Sequence, residues 1–590
     1  MDLYTDFVCT SIVHCAILLL NVMNILVVLI SLCGWAAGYT IQLTEVQDSP
    51  RSLQGTLEIP ITEVTNGWKI VLTFTGPISN IDIWAGTVFA TSDDMTTFTV
   101  VNRVDNGVMH VGSKLDVNMF VNFTGSAAPT ATAKFSNLGH DPFTPVTATP
   151  NTDGTKYNLN EVLEKSILFY EAQRSGKLPA TNRIPWRGDS ALQDSGDNGE
   201  DLTGGWYDAG DHVKFNFPQA GAVTMLAWGL LAFKDAYEGA NQLQHMYDCI
   251  RWPLDYLMKC HVSPNEFYIQ VGDGTADHNF WGRPENMTMS RPAFKIDEQH
   301  PGSDMAAETA AAFAASYLIF KNEDPSYASK LLRHAKELYA FAENHRGKYS
   351  ESVPETGPFY GSGDEIDEMS WGGAWMYMAT NEAHYLQTAE SVYKGGVAWG
   401  QSWGSKFPGS MVLLYNLTKK AIYLRDIEAT FTDWLPNGSV PYTPKGLAFR
   451  NKWGSLRHTA NMAFIAIMAS LENIHSTEYR QWAASQINYM LGDGGRSYVV
   501  GFGNNPPTHP HHRASSCPMW PAPCSDFNLN ADAPNPHVLY GGLVGGPGIN
   551  DDYTDVRTDY VRNEVAVDYN AGFQSAVAGL KALYMRGAMS

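Results

Sequence analysis

Asp208 and Asp211 stand three residues apart in DLTGGWYDAGDHVKFNFP, residues 201–218. Two carboxylates this close oppose each other's ionisation unless their surroundings separate their roles. They lie among Trp206, Tyr207 and Phe215. From these residues alone two readings stand open. One is an Asp/Gly turn that caps the start of a helix; the other is a carboxylate pair kept for chemistry. Three further loops concentrate reactive side chains. DGTADHNFWGRPENM carries His278 and Trp281, and SYVVGFGNNPPTHPHHR ends in His511, His512 and Arg513. GGPGINDDYTDVRTDYVRNEVAVDYNAGF holds Asp555, Glu564, Asp568 and Tyr569. A zinc reading of His509, His511 and His512 fails on crowded spacing and the lack of a thiolate pattern.

The elements that must position these loops change character along the chain. The 590 residues carry a net charge of −21, with 17% charged and 12% aromatic residues. That is a globular composition of more than one domain, and it argues against a nucleic-acid partner because no basic patch is present to neutralise phosphates. Residues 39–138 read as an all-β sandwich, with short runs such as LEIPITEV, WKIVLTFTG and TFTVVNRV bounded by Gly, Asn and Asp. Its two tryptophans, Trp68 and Trp84, are either core residues or sugar-stacking platforms. Residues 139–154 are rich in Pro and Thr and read as a linker. From residue 155 to 590 the pattern is helical. LNEVLEKSILFYEAQRSG is expected to end at a Gly176 cap, SDMAAETAAAFAASYLIFKN to start at a Ser303 cap, and EVAVDYNAGFQSAVAGLKALYM to be helical throughout. No regular strand alternation separates the helices, and long Gly/Pro/aromatic loops join them.

Four of these segments, GGWYDAGDHVKF, YTPKGLAFRNKWGSLRHTAN, SYVVGFG…PHHR and NEVAVDYNAGF, occur in the order seen in glycoside hydrolase family 9 cellulases, which the chain resembles from about residue 157 to 585. The resemblance implies a barrel of six helix pairs, an (α/α)6 fold. It implies an inverting hydrolysis of internal β-1,4-glucosidic bonds, in which Asp211 is the general base, Asp208 helps hold the attacking water and Glu564 is the general acid. Two neighbouring carboxylates can hold one water by both protons and fix its line of attack. An inverting pair needs about 6.5–9.5 Å between base and acid, and the acid must stay protonated, a setting to which Asp568 and Tyr569 are candidates to contribute. His511 and Arg513 match the family's active-site histidine and arginine, and Asp555 is grouped with the catalytic set. Trp281, Trp453 and Tyr569 are implied sugar platforms, with His278 and Arg457 as polar partners. The N-terminal segment NGWKIVLTFTGPISNIDIWAG resembles the cellulose-binding sandwich that precedes some such enzymes, with Trp68 and Trp84 as its sugar-binding candidates.

The resemblance needs no cofactor for the chemistry, but leaves a structural calcium ion open. The matching segment SGDEIDE supplies Asp367 and Glu368, whereas SWGSK has Gly404 and Ser405 where the family has an Asp. Losing a carboxylate weakens a hard-oxygen site. Residues 1–38 read as a secretory signal, with an apolar run over 16–33 and cleavage near Ala37 or Gly38; a retained anchor is the alternative. Of the four remaining cysteines, Cys517 and Cys524 flank a turn-prone CPMWPAPC and are the disulfide candidates. Cys249 and Cys260 would lie about 16 Å apart along a helix, too far to bond. Sequons at Asn122, Asn286, Asn416 and Asn437 suit secretion. The expectation is a secreted monomer acting on a β-1,4-glucan, with no lasting membrane association. The alternatives are the same chemistry on mixed-linkage glucan, mannan or oligosaccharides, and a non-catalytic carbohydrate-binding protein.

Overall fold

The computed structural model describes residues 38–589, apart from 47–48, 50, 93, 104–105, 139–149, 152–153, 180 and 520–521. The signal reading of residues 1–38 therefore lies, but for Gly38, outside the described residues, as does most of the linker. Among the described residues no helix is long and apolar enough to cross a membrane. The chain divides into two units between Val146 and Thr147, inside the segment read as a linker.

The first unit is an all-β sandwich. Its strands are β1 (Gly38–Glu45), β2 (Ser52–Pro60), β3 (Thr65–Asn66), β4 (Trp68–Phe74), β5 (Ile78–Ile83), β6 (Gly86–Thr91), β7 (Thr97–Asn102), β8 (Val108–Met109), β9 (Lys114–Phe123) and β10 (Ala131–Asn137). Eight of them run in the order β5-β9-β2-β1-β10-β4-β7-β6, with every neighbouring pair antiparallel. Strand β1 pairs with β10 through its first half and with β2 through its second, so one strand joins the two layers. Alternation decides the fate of the tryptophans. In β4, Trp68, Ile70, Leu72 and Phe74 all point inward. Trp68 is 0% exposed and donates its indole N–H to the Asn106 carbonyl at 3.0 Å, so it is core and not a sugar platform. Trp84, 53% exposed, keeps the platform geometry and rests edge-on against Phe120, 5.5 Å between centroids.

Twelve helices of ten residues or more, among those described, build the second unit. They are α1 (Leu159–Ala172), α2 (Asn216–Ala232), α3 (Leu243–Cys260), α4 (Ser303–Phe320), α5 (Pro325–Asn344), α6 (Ile366–Thr380), α7 (Ala383–Val392), α8 (Phe407–Thr418), α9 (Ala421–Trp434), α10 (Ser455–Leu471), α11 (Ser476–Asn488) and α12 (Val567–Met585). The even-numbered helices pack in a closed inner ring, and the odd-numbered ones lie outside it. Inner helices are buried nearly all round, which explains why α4 reads SDMAAETAAAFAASYLIF with no polar stripe: alanine lets neighbours approach on every side. Outer helix α5 instead buries one face, starts with Pro325, and is capped by Asp324, whose carboxylate accepts the Tyr327 N–H.

Three boundaries differ from the sequence reading, and each serves a loop. Helix α1 stops at Ala172, so that Gln173 leaves it and Gly176 takes a positive φ of 93° in the turn beyond. Gly302 rather than Ser303 precedes α4, and the Ser303 hydroxyl donates to the Gly347 carbonyl. Helix α12 begins only at Val567, leaving Glu564 extended. A small antiparallel sheet that periodicity missed, β11 (Lys214–Phe215), β12 (His261–Ser263), β13 (Glu266–Val271) and β14 (Ala293–Ile296), fastens the chain just after Asp211. Cys517 and Cys524 form a disulfide, and Cys249 and Cys260 stay free and buried within α3. Truncating Trp68 to Ala removes a fully buried indole and should destabilise the sandwich by about 3–5 kcal/mol. Trp84→Ala should cost under about 1 kcal/mol. Denaturant unfolding of the full chain, followed on the sandwich transition, checks both.

Candidate active site

The Asp208–Asp211 loop is held from three directions. Gln173, freed by the early end of α1, donates its amide to the carbonyls of Tyr207 (3.1 Å) and Ala209 (2.7 Å), while its backbone carbonyl accepts the Tyr207 N–H. Its side-chain oxygen accepts from His512 Nε2 at 2.8 Å. Val567 N–H donates to the Asp208 carbonyl at 2.8 Å, which ties the loop to the segment carrying Glu564. Arg513 N–H donates to the Gly210 carbonyl at 3.1 Å. At Gly210 a Cβ would stand 2.0 Å from the His511 carbonyl oxygen, so only glycine permits the two loops to close up. The capping reading of the opening turn does not apply to Asp211: its two oxygens accept the N–H groups of Ala209 (3.0 Å) and Val213 (3.3 Å) inside the loop.

Asp208 and Asp211 are both buried. Burial, followed by the charges of Asp211 and Asp568, drives the Asp208 carboxyl well above the usual carboxylate range. Working against this is the Tyr360 hydroxyl, which donates to Asp208 Oδ2. Asp208 Oδ1 takes no hydrogen bond from any described residue. Ionisation of Asp208 is therefore favoured by Tyr360, a residue the sequence reading passed over in GPFYGSG. Tyr360 is itself braced by Trp403, edge-on at 4.9 Å, and by Phe215 at 5.0 Å.

Glu564 lies between the histidine loop and the α10 start. His511 and Glu564 form a parallel β-bridge, and His511 N–H donates to the Asn563 carbonyl. Glu564 Oε2 accepts the Trp453 indole N–H at 3.2 Å and the Tyr569 hydroxyl at 3.4 Å. Burial first, then the Asp211 charge, pushes the Glu564 carboxyl up to about 7, while the Trp453 hydrogen bond pulls the other way. The group is thus mostly a carboxylic acid below about pH 7, as a proton donor must be. Arg457 donates to Asp568 Oδ2 at 2.9 Å and lies over the Tyr569 ring at 4.9 Å, so both residues support the acid from behind.

The remaining candidates separate into those that face the cleft and those that hold it. Trp453, 42% exposed, and Tyr560 stand 5.4 Å apart beside Glu564. His278 stacks on Phe359, 4.6 Å between centroids with a 29° tilt, and donates Nδ1–H to the Gly274 carbonyl. Phe359 and Tyr560, both half-exposed, are surfaces the sequence reading did not single out. Trp281 and Tyr569 do not offer open faces. Trp281 is 7% exposed, donates to Ser516 Oγ at 3.0 Å and props the His511 ring edge-on; Tyr569 is 2% exposed.

His511 Nδ1 donates to the Arg557 carbonyl at 2.7 Å, and burial lowers its pKa to about 4, so it is a neutral imidazole. Arg513 pairs with buried Asp277, which also accepts the His212 N–H at 3.2 Å. Asp555 accepts from Thr508 N–H (2.7 Å), its hydroxyl (2.8 Å) and His509 N–H (3.1 Å), contacts that fix the histidine loop. Among the described residues, two groups bring possible metal-ligand atoms within 4.8 Å of one another: Asp211, Asp277 and His278 in the cleft, and His261, His334 and Glu337 elsewhere. The first has a cation already, the Arg513 guanidinium on Asp277. Asp367 and Glu368 face a different cation, Lys406, whose ammonium lies 3.5 Å from Glu368 Oε1.

A crowded carboxylate pair, a carboxyl of raised pKa joined to it through the backbone, and exposed aromatic faces are the apparatus of a glycoside hydrolase. Residues 159–577 match the model of glycosyl hydrolase family 9, and the chain belongs to that family. It is similar to Endoglucanase 4 of Bacillus sp. (strain KSM-522), 51% identical over 435 residues, which span 71% of this chain and 68% of that one. Among solved structures, the endoglucanase of the termite Nasutitermes takasagoensis superposes with a TM-score of 0.71 at 54% identity, over 73% of this chain and all of that one. The cellulase Cel9M of C. cellulolyticum, solved with cellobiose, follows at 0.68 and 35% identity, over 72% of this chain and 99% of the other.

Two pH responses follow from the hydrogen bonds. Tyr360→Phe removes the donor that lowers the Asp208 pKa, so Asp208 ionises at higher pH. The acidic limb of the pH–rate profile should move up by about one to two pH units. Trp453→Phe removes a donor that lowers the Glu564 pKa, so the alkaline limb should also move up. Profiles of kcat/KM on a soluble cellulose derivative check both; a shift to lower pH in either variant contradicts the assignment.

Proposed function

We propose that the enzyme is an endo-β-1,4-glucanase that cuts internal bonds of cellulose or a related soluble β-glucan with inversion. Asp211 takes the proton of the attacking water, Asp208 helps to orient that water, and Glu564 protonates the leaving oxygen. The observation that carries this reading is the join between the two halves of the site: Val567 N–H on the Asp208 carbonyl binds the Asp208–Asp211 loop to the Glu564 segment. The unshared Asp208 Oδ1 is suited to accept a proton of a water, and the raised Glu564 carboxyl to give one. Trp453 with Tyr560 and His278 with Phe359 are suited to stack on pyranose faces, whose axial C–H groups make them apolar. The endoglucanase names of the relatives support the substrate class. A non-catalytic binding protein would have no use for an acid held protonated beside a carboxylate pair.

The chemistry needs no cofactor. Structural calcium on Asp367 and Glu368 is not part of the proposal, because the Lys406 ammonium stands among those carboxylates. Secretion is part of it, supported by the apolar leader, the disulfide and the exposure of all four sequon asparagines. On the sandwich it is Trp84, and not Trp68, that has a ring face free to meet a glucan.

Glu564→Gln should lower hydrolysis of soluble cellulose by about 10²–10⁴-fold. The same variant should keep activity within about tenfold on an aryl cellobioside whose phenolate leaves without protonation, since general acid help is then dispensable. Equal losses on both substrates would remove Glu564 from the acid role. For the mode of cutting, viscosity of a soluble cellulose derivative should fall well before reducing ends accumulate; parallel changes would mean an end-cutting enzyme.

A further inference from the structure

Beneath the Asp208 loop the inner helices enclose a group of carboxylates that the reaction does not use. Glu308 from α4 and Asp367 and Glu368 from α6 are all buried, and Lys406, the residue before α8, reaches into the group. Its ammonium donates to the Trp403 carbonyl at 2.5 Å and lies 3.3 Å from Glu308 Oε2 and 3.5 Å from Glu368 Oε1. Its backbone N–H donates to Asp367 Oδ2 at 2.6 Å. Two carboxylates and a backbone carbonyl around one point are the donor set of a hard divalent cation. Here that point is filled by a cation the chain carries itself.

The sequence accounts for the exchange. SWGSK has no carboxylate at Gly404 or Ser405, but it places a lysine directly after them, at the head of α8. A calcium ion requires six to eight oxygens at about 2.3–2.6 Å, and the ammonium stands in the volume those oxygens would enclose. A buried charge left unpaired is far costlier than a paired one, so removing either the carboxylates or the ammonium alone is penalised. Burial pushes both Glu308 and Glu368 upward, and the Lys406 charge opposes this in each.

The cluster also bears on the site above it. Trp403, whose carbonyl the ammonium holds, packs its ring against Tyr360, the residue that donates to Asp208. Lys406 and Asp568 line one small cavity with Gln401, Trp403 and Asn461, so the cluster borders the ion pair behind Glu564.

We propose that Lys406 is the resident cation of the Glu308–Asp367–Glu368 cluster, standing where a divalent ion would otherwise bind, so that this barrel keeps its fold without calcium. The test is thermal unfolding of the full-length protein after dialysis against EDTA, with and without excess CaCl2, together with its metal content. The expected result is no retained calcium and the same Tm in both conditions. A Tm that falls in EDTA and returns with calcium, or one equivalent of calcium surviving dialysis, overturns the proposal. Lys406→Asp should melt below the wild type in EDTA and regain stability with added calcium, because the ammonium has been replaced by a fourth carboxylate. A Lys406→Asp protein as stable in EDTA as the wild type would likewise overturn it. Should that variant fail to fold, the wild-type comparison decides alone.

Discussion

The crowding of negative charge on a buried floor is the constraint on which this enzyme depends. Asp208 and Asp211 sit three residues apart in one loop, with Asp568 and Glu564 close enough to raise the Asp208 carboxyl further. Left to itself such a group would take up protons indiscriminately. The fold answers with donors placed one by one: Tyr360 on Asp208, two backbone N–H groups on Asp211, Arg457 on Asp568. The repulsion that remains falls on Glu564, whose carboxyl is raised to about 7 by burial and by Asp211. The same electrostatics that strain the pair thus prepare its partner to be an acid.

The barrel supplies the rigidity this needs. Six inner helices buried nearly all round form a floor that cannot shift without opening cavities. The site loops connect that floor to the cleft. Gln173, at the end of α1, gathers Tyr207, Ala209 and His512 with a single side chain. Glu564 stays extended because α12 starts three residues later, and in that conformation it can bridge to His511. Within that floor, the Lys406 cluster places a compensating positive charge where three carboxyls meet.

Much of this was legible in the sequence. Apolar periodicity marked the helices, the resemblance carried by four motifs in a fixed order implied the barrel, and in the fold the loops bearing Asp208, His511 and Glu564 are joined by backbone hydrogen bonds. The missed features depend on distant contacts. Nothing local in GPFYGSG tells that Tyr360 meets Asp208, 152 residues away, and nothing near Gln173 tells that it leaves its helix. Trp281 and Tyr569 were read as platforms because an aromatic residue in a motif does not reveal which way its ring turns. Trp68 was decidable: WKIVLTF alternates Trp, Ile, Leu and Phe on one face, a core pattern.

The proposed use of the carboxylate pair makes one stereochemical demand. Water held by Asp208 and Asp211 attacks the face opposite the leaving group that Glu564 protonates, so the configuration at the anomeric carbon must invert. Proton NMR of a cello-oligosaccharide digest, recorded in the first minutes before mutarotation equilibrates the product, reads this directly. The account predicts that the new reducing end appears first as the α-anomer. An initial excess of the β-anomer would mean a carboxylate attacks carbon itself, and would contradict the role given to the pair.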